Sequence, residues 1–328
     1  MSSLNTNASA MTALQTLTTI SKNMATTQSR ISTGFRVNDA SDNAAYWSIA
    51  TTMRSDNKAL STVQDALGLG ASKLDTAYTG MNKIIETVNE LKTKIVSAIG
   101  ATEADQGKID TEIKELQAQM KAYADAATFS GTNMLSVDSS AETVPGAAAD
   151  VKVVSAFNRN ASGAASVSTI DISVQSIKLY DAGMTDGLDA GILEADRLGS
   201  DGSRTATAQA ATAGDDAAAG DSYAVSTLTV TGYSDSQLGD MLRVVDAALK
   251  EMTDAATTLG ATKNRINLQK EFTQNLMDSI DRGVGQLVDA DMNKESARLA
   301  ALQTQQQLGI QALSIANSNS QNILGLFR

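Results

Sequence analysis

The sequence contains no histidine and no cysteine among its 328 residues, and it has one proline and one tryptophan. These absences exclude Ser/His/Asp and Cys/His catalysis, histidine-based metal sites and disulfide frameworks. Aromatic residues make up 4% of the chain, which is little material for a ligand pocket but is compatible with long helices. The composition therefore argues against an enzyme and favours a helical structural protein.

The N-terminus has neither a basic segment nor an uninterrupted apolar run. We therefore predict no cleaved signal peptide and no transmembrane helix, so that a secreted fate needs another export route. The formal net charge is −11, and residues 136–235 hold 14 acids against 5 bases, whereas both chain ends are nearly neutral. The middle of the chain should face water, and the lack of a basic stripe predicts no nucleic-acid partner.

Apolar residues recur at helical spacing in several stretches. The N-terminal series is Leu4, Ala8, Met11, Leu14, Leu17, Ile20, Met24 and Ile31. A second series is Leu74, Tyr78, Met81, Ile85, Val88, Ile95 and Ile99, interrupted at Lys92, and a third is Ile109, Ile113, Leu116, Met120, Tyr123 and Ala127. The second and third series predict an antiparallel helical hairpin with Gly100 as the stop of its first helix.

The pattern changes in residues 129–235. Short alternating stretches that begin at Val151 and Ile170 predict β-strands, and residues 199–221 predict a loop because they lack bulky side chains. Helical spacing returns with Leu238, Met241, Val245, Leu249, Met252, Leu259, Ile266, Phe272, Leu276, Ile280 and Leu287, and a further helix is predicted for residues 292–323. The expected fold is mainly α with a β-rich central insert.

The terminal helices are almost free of charge. Lys22 is the only charged residue in residues 1–29, and residues 299–327 have none. In the last helix, the face opposite Leu299, Leu302, Ile310 and Leu313 is rich in glutamine and asparagine, which suits neither water nor lipid. We predict that both faces are buried between copies of the chain, and that the two ends are largely disordered in the monomer and fold on assembly.

Several motifs resemble those of one protein family. The segment SRISTGFRVNDASDNAA at residues 29–45 closely resembles the N-terminal signature of bacterial flagellins. The segments FSGTNML at 129–135, LGATKNR at 259–265, DADM at 289–292 and NILGLFR at 322–328 follow in the family's order. Tyr46 and Trp47 replace a Gly-Leu pair found in many flagellins, which resembles the alphaproteobacterial, rhizobium-like branch.

The resemblance implies a structural subunit that self-assembles head-to-tail into the helical flagellar filament, the rotating propeller of swimming bacteria, without enzymatic activity or cofactor. It implies unfolded passage through the flagellar type III export channel and a secreted, extracellular location in the flagellum. The implied partners are copies of the chain, other flagellins, an export chaperone, the filament cap and hook–filament junction proteins. No nucleic acid and no membrane are expected.

The resemblance also implies a domain layout. Residues 1–43 and 289–328 would form coiled-coil helices of an inner tube, residues 44–135 and 236–288 a helical shell that includes the first β-hairpin, and residues 136–235 a variable outer domain. The inner-tube residues are expected to be Leu4, Met11, Leu14, Leu17, Ile20, Met24, Leu299, Leu302, Ile310, Leu313, Leu324 and Phe327. The turn between layers and its subunit contacts are expected to involve Arg30, Gly34, Arg36, Asp39, Asp42, Tyr46, Trp47 and Arg54.

Two other functions and two other kinds of site fit the sequence less well. A hook–filament junction protein shares the terminal helices, but the full set of signatures favours the filament subunit. A flagellin with an inserted protease needs a His-Glu-x-x-His zinc site, which a chain without histidine excludes. Gly68 and Gly70 lack the context of a nucleotide-binding loop. The acids Asp181, Asp186, Asp189 and Glu194 do not match calcium-loop spacing, so we interpret them as solvated.

Overall fold

The computed structural model describes residues 7–140, 148–160, 162–184, 187–218 and 220–325, with side chains described as far as residue 318. Among these residues the helices are α1 (Ala8–Thr33), α2 (Ala44–Ala98), α3 (Glu103–Ala126), α4 (Asp235–Val288) and α5 (Met292–Gly325). Short β-strands lie between α3 and α4. The predicted class, mainly α with a strand-containing central insert, is confirmed.

The strands pair two by two. They are β1 (Thr128–Phe129), β2 (Thr132–Asn133), β3 (Ser136–Val137), β4 (Val151–Arg159), β5 (Ala165–Ile172), β6 (Tyr180–Asp181), β7 (Arg197–Leu198) and β8 (Ser222–Tyr223). β1–β2, β4–β5 and β7–β8 are antiparallel, and β3–β6 is parallel. The strands predicted at Val151 and Ile170 are β4 and β5. Beyond β5 the alternation does not continue as a strand, because Val174–Ser176 forms a 3₁₀ turn.

Contacts between Cα atoms divide the chain into two compact units. The terminal unit comprises Met1–Ala59 with Leu276–Arg328, and the central unit comprises Leu60–Asn275.

In the central unit, α3 and α4 each run antiparallel to α2 and therefore parallel to each other. Lys94 of α2 pairs with Glu112 of α3 at 2.5 Å, and Lys92 of α2 pairs with Asp246 of α4 at 2.5 Å. The predicted hairpin of α2 and α3 is therefore confirmed. Gly100 follows the end of α2 with φ of +75°, and its N–H donates to the Asp235 carboxylate at 2.8 Å. The left-handed backbone favours glycine at this stop.

The buried face of α2 differs in part from the predicted series. Leu74, Met81, Val88 and Ile95 are fully buried as expected, but Ile99 is exposed. The neighbouring buried row is Ala77, Ile84, Leu91 and Ala98. The apparent interruption at Lys92 disappears, because Leu91 takes the buried position. The sequence series favoured large residues and therefore missed the two alanines.

The predicted series of α4 is wrong near Phe272, which is 59% exposed. Thr273 takes the buried position instead, and its hydroxyl donates to the Gln269 carbonyl at 2.8 Å. A threonine bonded to its own helix can be buried like an apolar residue, because its donor is already satisfied.

The acids of the central segment are not all solvated, which corrects the sequence interpretation. Asp181 is buried and its carboxylate pairs with Lys178 at 2.6 Å, while accepting from the hydroxyl and N–H of Ser139. Burial opposes ionisation, but these hydrogen bonds outweigh it and hold the pKa of Asp181 below its ordinary value. Asp186 lies outside the described residues. Across the described part of the chain, no group of acids is arranged to hold a metal ion.

Candidate functional site

The terminal unit pairs α1 with α5 in antiparallel orientation. At one end, the Asn7 side-chain amide donates to the Ala316 carbonyl at 2.9 Å. At the other end, the Arg30 guanidinium lies 3.4 Å from the Glu295 carboxylate. α1 and α5 are thus joined at both ends of the pair.

The face of α1 turned towards α5 combines small and large side chains. It consists of Ala10, Ala13, Leu17, Ile20, Met24 and Thr27. Of the described residues of α1, only Ile20 and Thr27 are buried. Met11 and Leu14 belong to the same N-terminal apolar series as Leu17 in the sequence. In the structure they lie on another side of the helix and are 64% and 54% exposed. The apolar residues of α1 therefore form two faces, of which one is covered.

α5 shows the same division. Its packed row consists of Glu295, Leu299, Leu302, Gln306, Gly309, Leu313 and Ala316. Ile310 does not belong to this row, since it is exposed together with Leu308 and Ile315. Leu4 and Phe327 lie outside the described residues, and Leu324 is described only as part of the backbone of α5.

Threonine hydroxyls on the outward side of α1 are bonded within the helix. Thr12, Thr16 and Thr19 each donate to the carbonyl four residues earlier, at 2.9–3.0 Å. Their donors are satisfied without water, so covering this face would not leave them unpaired. The exposed side of α1 is consequently suited to burial.

A turn of ten residues, 34–43, connects α1 to α2. Gly34 ends α1 with φ of +75°, and its N–H donates to the Arg30 carbonyl at 2.9 Å. The Gly34 carbonyl accepts from the Ala290 N–H at 2.8 Å, and Phe35 forms an antiparallel bridge with Asp289. The two connections, between α1 and α2 and between α4 and α5, are therefore fastened side by side.

Arginines and aromatic rings hold this turn. The Arg36 guanidinium donates to the Leu287 carbonyl at 2.8 Å and lies 5.9 Å from the centre of the Tyr46 ring. The Arg54 guanidinium lies 4.7 Å from the centre of the Phe35 ring, within cation–π range. A small core lies under the turn, formed by Val37, Ala50, Val284 and Val288.

The acidic side of the turn is organised by Asp42. Its carboxylate accepts from the N–H groups of Asn38 and Asp39. Both bonds lower the pKa of Asp42, and the bond from Asn38 has the larger effect. Trp47 remains 38% exposed in the next helical turn. Arg30 lies at the end of α1, where its carbonyl accepts from the Gly34 N–H and its side chain pairs with Glu295 of α5; its charge also contributes to the lowered pKa of Asp42.

Sequence reasoning missed the polar residues that close the helix pair. Asn7 caps α1 by accepting from the Ala10 N–H at 3.0 Å, and Asp291 caps α5 by accepting from the Asn293 N–H at 3.0 Å. Both are preferred N-cap residues that stand directly before a helical pattern, a signal that was available in the sequence. Glu295 had no such signal, because its partner Arg30 is distant along the chain.

No helix within the described ranges is long and apolar enough to cross a membrane.

Two family models match the chain over its helical ends. Residues 4–139 match the bacterial flagellin N-terminal helical region, and residues 242–327 match the bacterial flagellin C-terminal helical region. Flagellin C of Rhizobium meliloti (strain 1021) is 50% identical over 331 residues, and a flagellin of Brucella melitensis biotype 1 is 47% identical over 332 residues. Flagellin A of Rhizobium meliloti (strain 1021) is 45% identical over 403 aligned positions. All three alignments cover 100% of both chains.

The mainly helical fold and the two matching family models define the class of the protein, a structural subunit of a filament. The chain belongs to the bacterial flagellin family. It is a structural subunit of the flagellar filament, assembles with other flagellin subunits, and is not an enzyme. The resemblance to the rhizobium-like branch is confirmed by these relatives.

Proposed function

We propose that α1 and α5 form the innermost tube of the filament, and that the sides of the pair turned away from each other are the contacts between copies. One observation carries this proposal: Met11 and Leu14 on α1 and Ile310 on α5 are exposed on helices that offer almost no charge to water. Covering such faces removes apolar area from water without desolvating ions. When the exposed side of α1 in one copy meets a different surface of the next copy, the contact is head-to-tail, and its repetition produces an open helical polymer.

The proposed layers follow from the same faces. Residues 1–43 and 289–328 would lie in the inner tube, residues 44–135 and 236–288 in the surrounding shell, and the acidic residues 136–235 outside, where charge is solvated. The turn that contains Gly34, Arg36, Asp39 and Asp42 would connect the two inner layers. Tyr46, Trp47 and Arg54 would meet a neighbouring copy close to this turn.

The finer partners and the location are part of the proposal. We infer a secreted protein, exported through the flagellar channel, that meets an export chaperone, the filament cap and hook–filament junction proteins. Family membership supports these partners. The exposed apolar side of α1 supports the chaperone in particular. An uncovered apolar side promotes non-specific association, so a partner that binds it before assembly would keep the subunit monomeric.

A single charge placed on the exposed side of α1 tests the proposal. Leu14→Glu should leave the fold of the monomer unchanged, since Leu14 is 54% exposed, but should raise the critical concentration for polymerisation. Burying an unpaired carboxylate costs several kcal/mol, so we expect a rise of roughly 100-fold or more. The matched control is Val167→Glu, which adds the same charge at a similarly exposed position of β5.

The assay is sedimentation of seeded polymer at a series of subunit concentrations, with circular dichroism to verify the monomer. Val167→Glu should polymerise like the unmodified chain. Normal polymerisation of Leu14→Glu would show that this side of α1 stays in water, and the inner-tube proposal would be wrong.

A further inference from the structure

A small cavity lies in the central unit beside β8 and α4. Its volume is about 150 Å³, and its lining includes Asp196, Ala211, Tyr223, Tyr233 and Met241. An engineered cavity of similar size in another protein holds a molecule as large as benzene. The cavity therefore has room for one small organic molecule, and the chemistry of the lining indicates the class of that molecule.

Among the described residues that line the cavity, Asp196 is the only charged one. In the described part of the chain no ion pair or hydrogen bond reaches its carboxylate, and burial alone raises its pKa. A carboxylate without a partner in partly desolvated surroundings costs free energy. A cation bound in the cavity would remove this cost, because it would supply the missing counter-charge.

Two tyrosine rings lie beside the same cavity. The ring centres of Tyr223 and Tyr233 are 6.4 Å apart, and the ring planes cross at 68°. The Tyr233 hydroxyl donates to the Ala211 carbonyl at 3.2 Å, whereas the buried Tyr223 hydroxyl has no hydrogen-bond partner within the ranges that the structure describes. Aromatic rings attract cations through their electron-rich faces, and the Tyr223 oxygen is an unused acceptor.

The rest of the lining fits an organic cation better than a metal ion. Calcium takes six or more oxygen ligands, several of them carboxylates, and this cavity offers one carboxylate. Much of the wall consists of apolar side chains, namely Ala208, Ala210, Ala211, Ala224, Leu228 and Met241. An ammonium ion that carries methyl groups suits both parts of the lining, because its charge attracts the carboxylate and the rings while its methyl groups contact the apolar wall.

We propose that this cavity binds a small methylated ammonium ion, with Asp196 as its counter-charge and the rings of Tyr223 and Tyr233 as cation–π partners. The bound ion would contact both the segment that precedes β7 and the helix α4, so it should stabilise the central unit against unfolding. The proposal does not depend on contacts between copies, because every residue that lines the cavity belongs to the central unit of one chain.

Isothermal titration calorimetry on the unassembled full chain tests the proposal, with tetramethylammonium chloride as the probe. The control ligand is neopentyl alcohol, which has a similar shape and no charge, and the ionic strength is held constant with NaCl. Tetramethylammonium should bind saturably, and the alcohol should bind at least about ten-fold more weakly. A lack of saturable binding, or equal affinity for the two ligands, would overturn the proposal.

Variants locate the binding site. Asp196→Asn keeps the size of the side chain but removes its charge, so tetramethylammonium should bind about ten-fold or more weakly. The matched control is Asp216→Asn, which removes an exposed acid of the same central segment and should leave the affinity unchanged. Unchanged affinity in Asp196→Asn would contradict the assignment.

A second pair of variants decides the matter if circular dichroism shows that Asp196→Asn is unfolded. Tyr233→Phe keeps the aromatic ring and should keep most of the affinity, whereas Tyr233→Leu removes the ring and should weaken binding by about ten-fold. Equal affinities of these two variants would mean that the ion does not bind beside this ring, and the proposal would be wrong.

Discussion

Arg197 of β7 and Glu251 of α4 form a two-pronged ion pair, with guanidinium–carboxylate distances of 2.7 and 3.1 Å. Arg197 is 1% exposed, and the same carboxylate also accepts from Arg204 at 2.7 Å. The guanidinium of Arg197 further donates to the Gly202 carbonyl at 3.2 Å. Since Arg197 and Arg204 belong to the central segment, this network fastens that segment to the long helix α4.

Replacing Glu251 with glutamine should destabilise the central unit. Arg197 would remain buried without a counter-charge, which costs about 3 kcal/mol in free energy of unfolding. The measurement is urea unfolding of the unassembled chain, followed by circular dichroism and by proteolysis of residues 188–230. Glu271→Gln is the matched control, because Glu271 is an exposed acid of the same helix and its loss should change stability by less than about 0.5 kcal/mol.

The same pair predicts a pH dependence. Burial opposes ionisation of Glu251, but hydrogen bonds from Arg197 and Arg204 outweigh it and hold the pKa of Glu251 below its ordinary value of 4.5. A lowered pKa means that the stabilisation is complete above pH 4.5 and is lost as the pH falls through the pKa of the folded state. The difference in free energy of unfolding between the unmodified chain and Glu251→Gln should therefore be constant from neutral pH down to about pH 4.5, the ordinary pKa of glutamate, and should shrink at lower pH. A difference that persists unchanged into strong acid would contradict the assignment.

Trp47 is the only tryptophan of the chain, so its fluorescence reports on one position. It is 38% exposed in the single copy and lies next to Tyr46, which faces Arg36. If a neighbouring copy covers it, assembly should shift its emission to shorter wavelength and reduce quenching by acrylamide. Filaments of Trp47→Phe provide the background fluorescence that is subtracted from the emission of the unmodified filament. Emission and quenching that stay the same on assembly would place Trp47 outside every subunit contact.

The terminal helices should be weakly protected until the filament forms. In the described residues of α1 and α5, burial is limited to Ile20, Thr27, Glu295 and Leu302, which is little packing for two long helices. In the dilute, unassembled chain we expect fast amide exchange over both helices and slow exchange over α2, α3 and the central part of α4. Assembly should slow exchange at both ends. Slow amide exchange over both α1 and α5 in the dilute chain would contradict this prediction.

The sequence predicted the long helices and their order well, because apolar residues at steps of three and four mark a helix wherever they occur. It predicted the packed side less well. Ala77 and Ala98 are buried but too small to be noticed, and Phe272 is large and apolar but exposed. Which side of a helix packs inward depends on the other helices and on neighbouring copies, and no local pattern contains that information.

Predictions for the candidate site were limited by the same cause. Met11, Leu14 and Leu17 form a single series in the sequence, but only Leu17 of the three lies in the packed row. The face turned towards α5 instead includes Ala10 and Ala13, since close approach of two helices requires small residues. The turn was easier to anticipate, because Gly34 and Asp42 are part of a recognisable motif and act through local hydrogen bonds.

Gly309 of α5 faces Leu17 of α1 so closely that an added Cβ atom would lie 3.1 Å from the Leu17 Cδ1 atom. Gly309→Val should therefore push the two helices apart and raise the critical concentration for polymerisation, and Leu17→Ala should raise it by loss of packing. Valine also changes helix propensity and contacts with other copies, so the single variant is ambiguous.

The double variant resolves this, because a double-mutant cycle cancels every effect that does not involve both residues. If the two side chains meet as described, Gly309→Val combined with Leu17→Ala should polymerise better than the sum of the single effects, by a coupling free energy of about 0.5–3 kcal/mol. Strict additivity of the two changes would mean that α1 and α5 are not paired in this register in the filament.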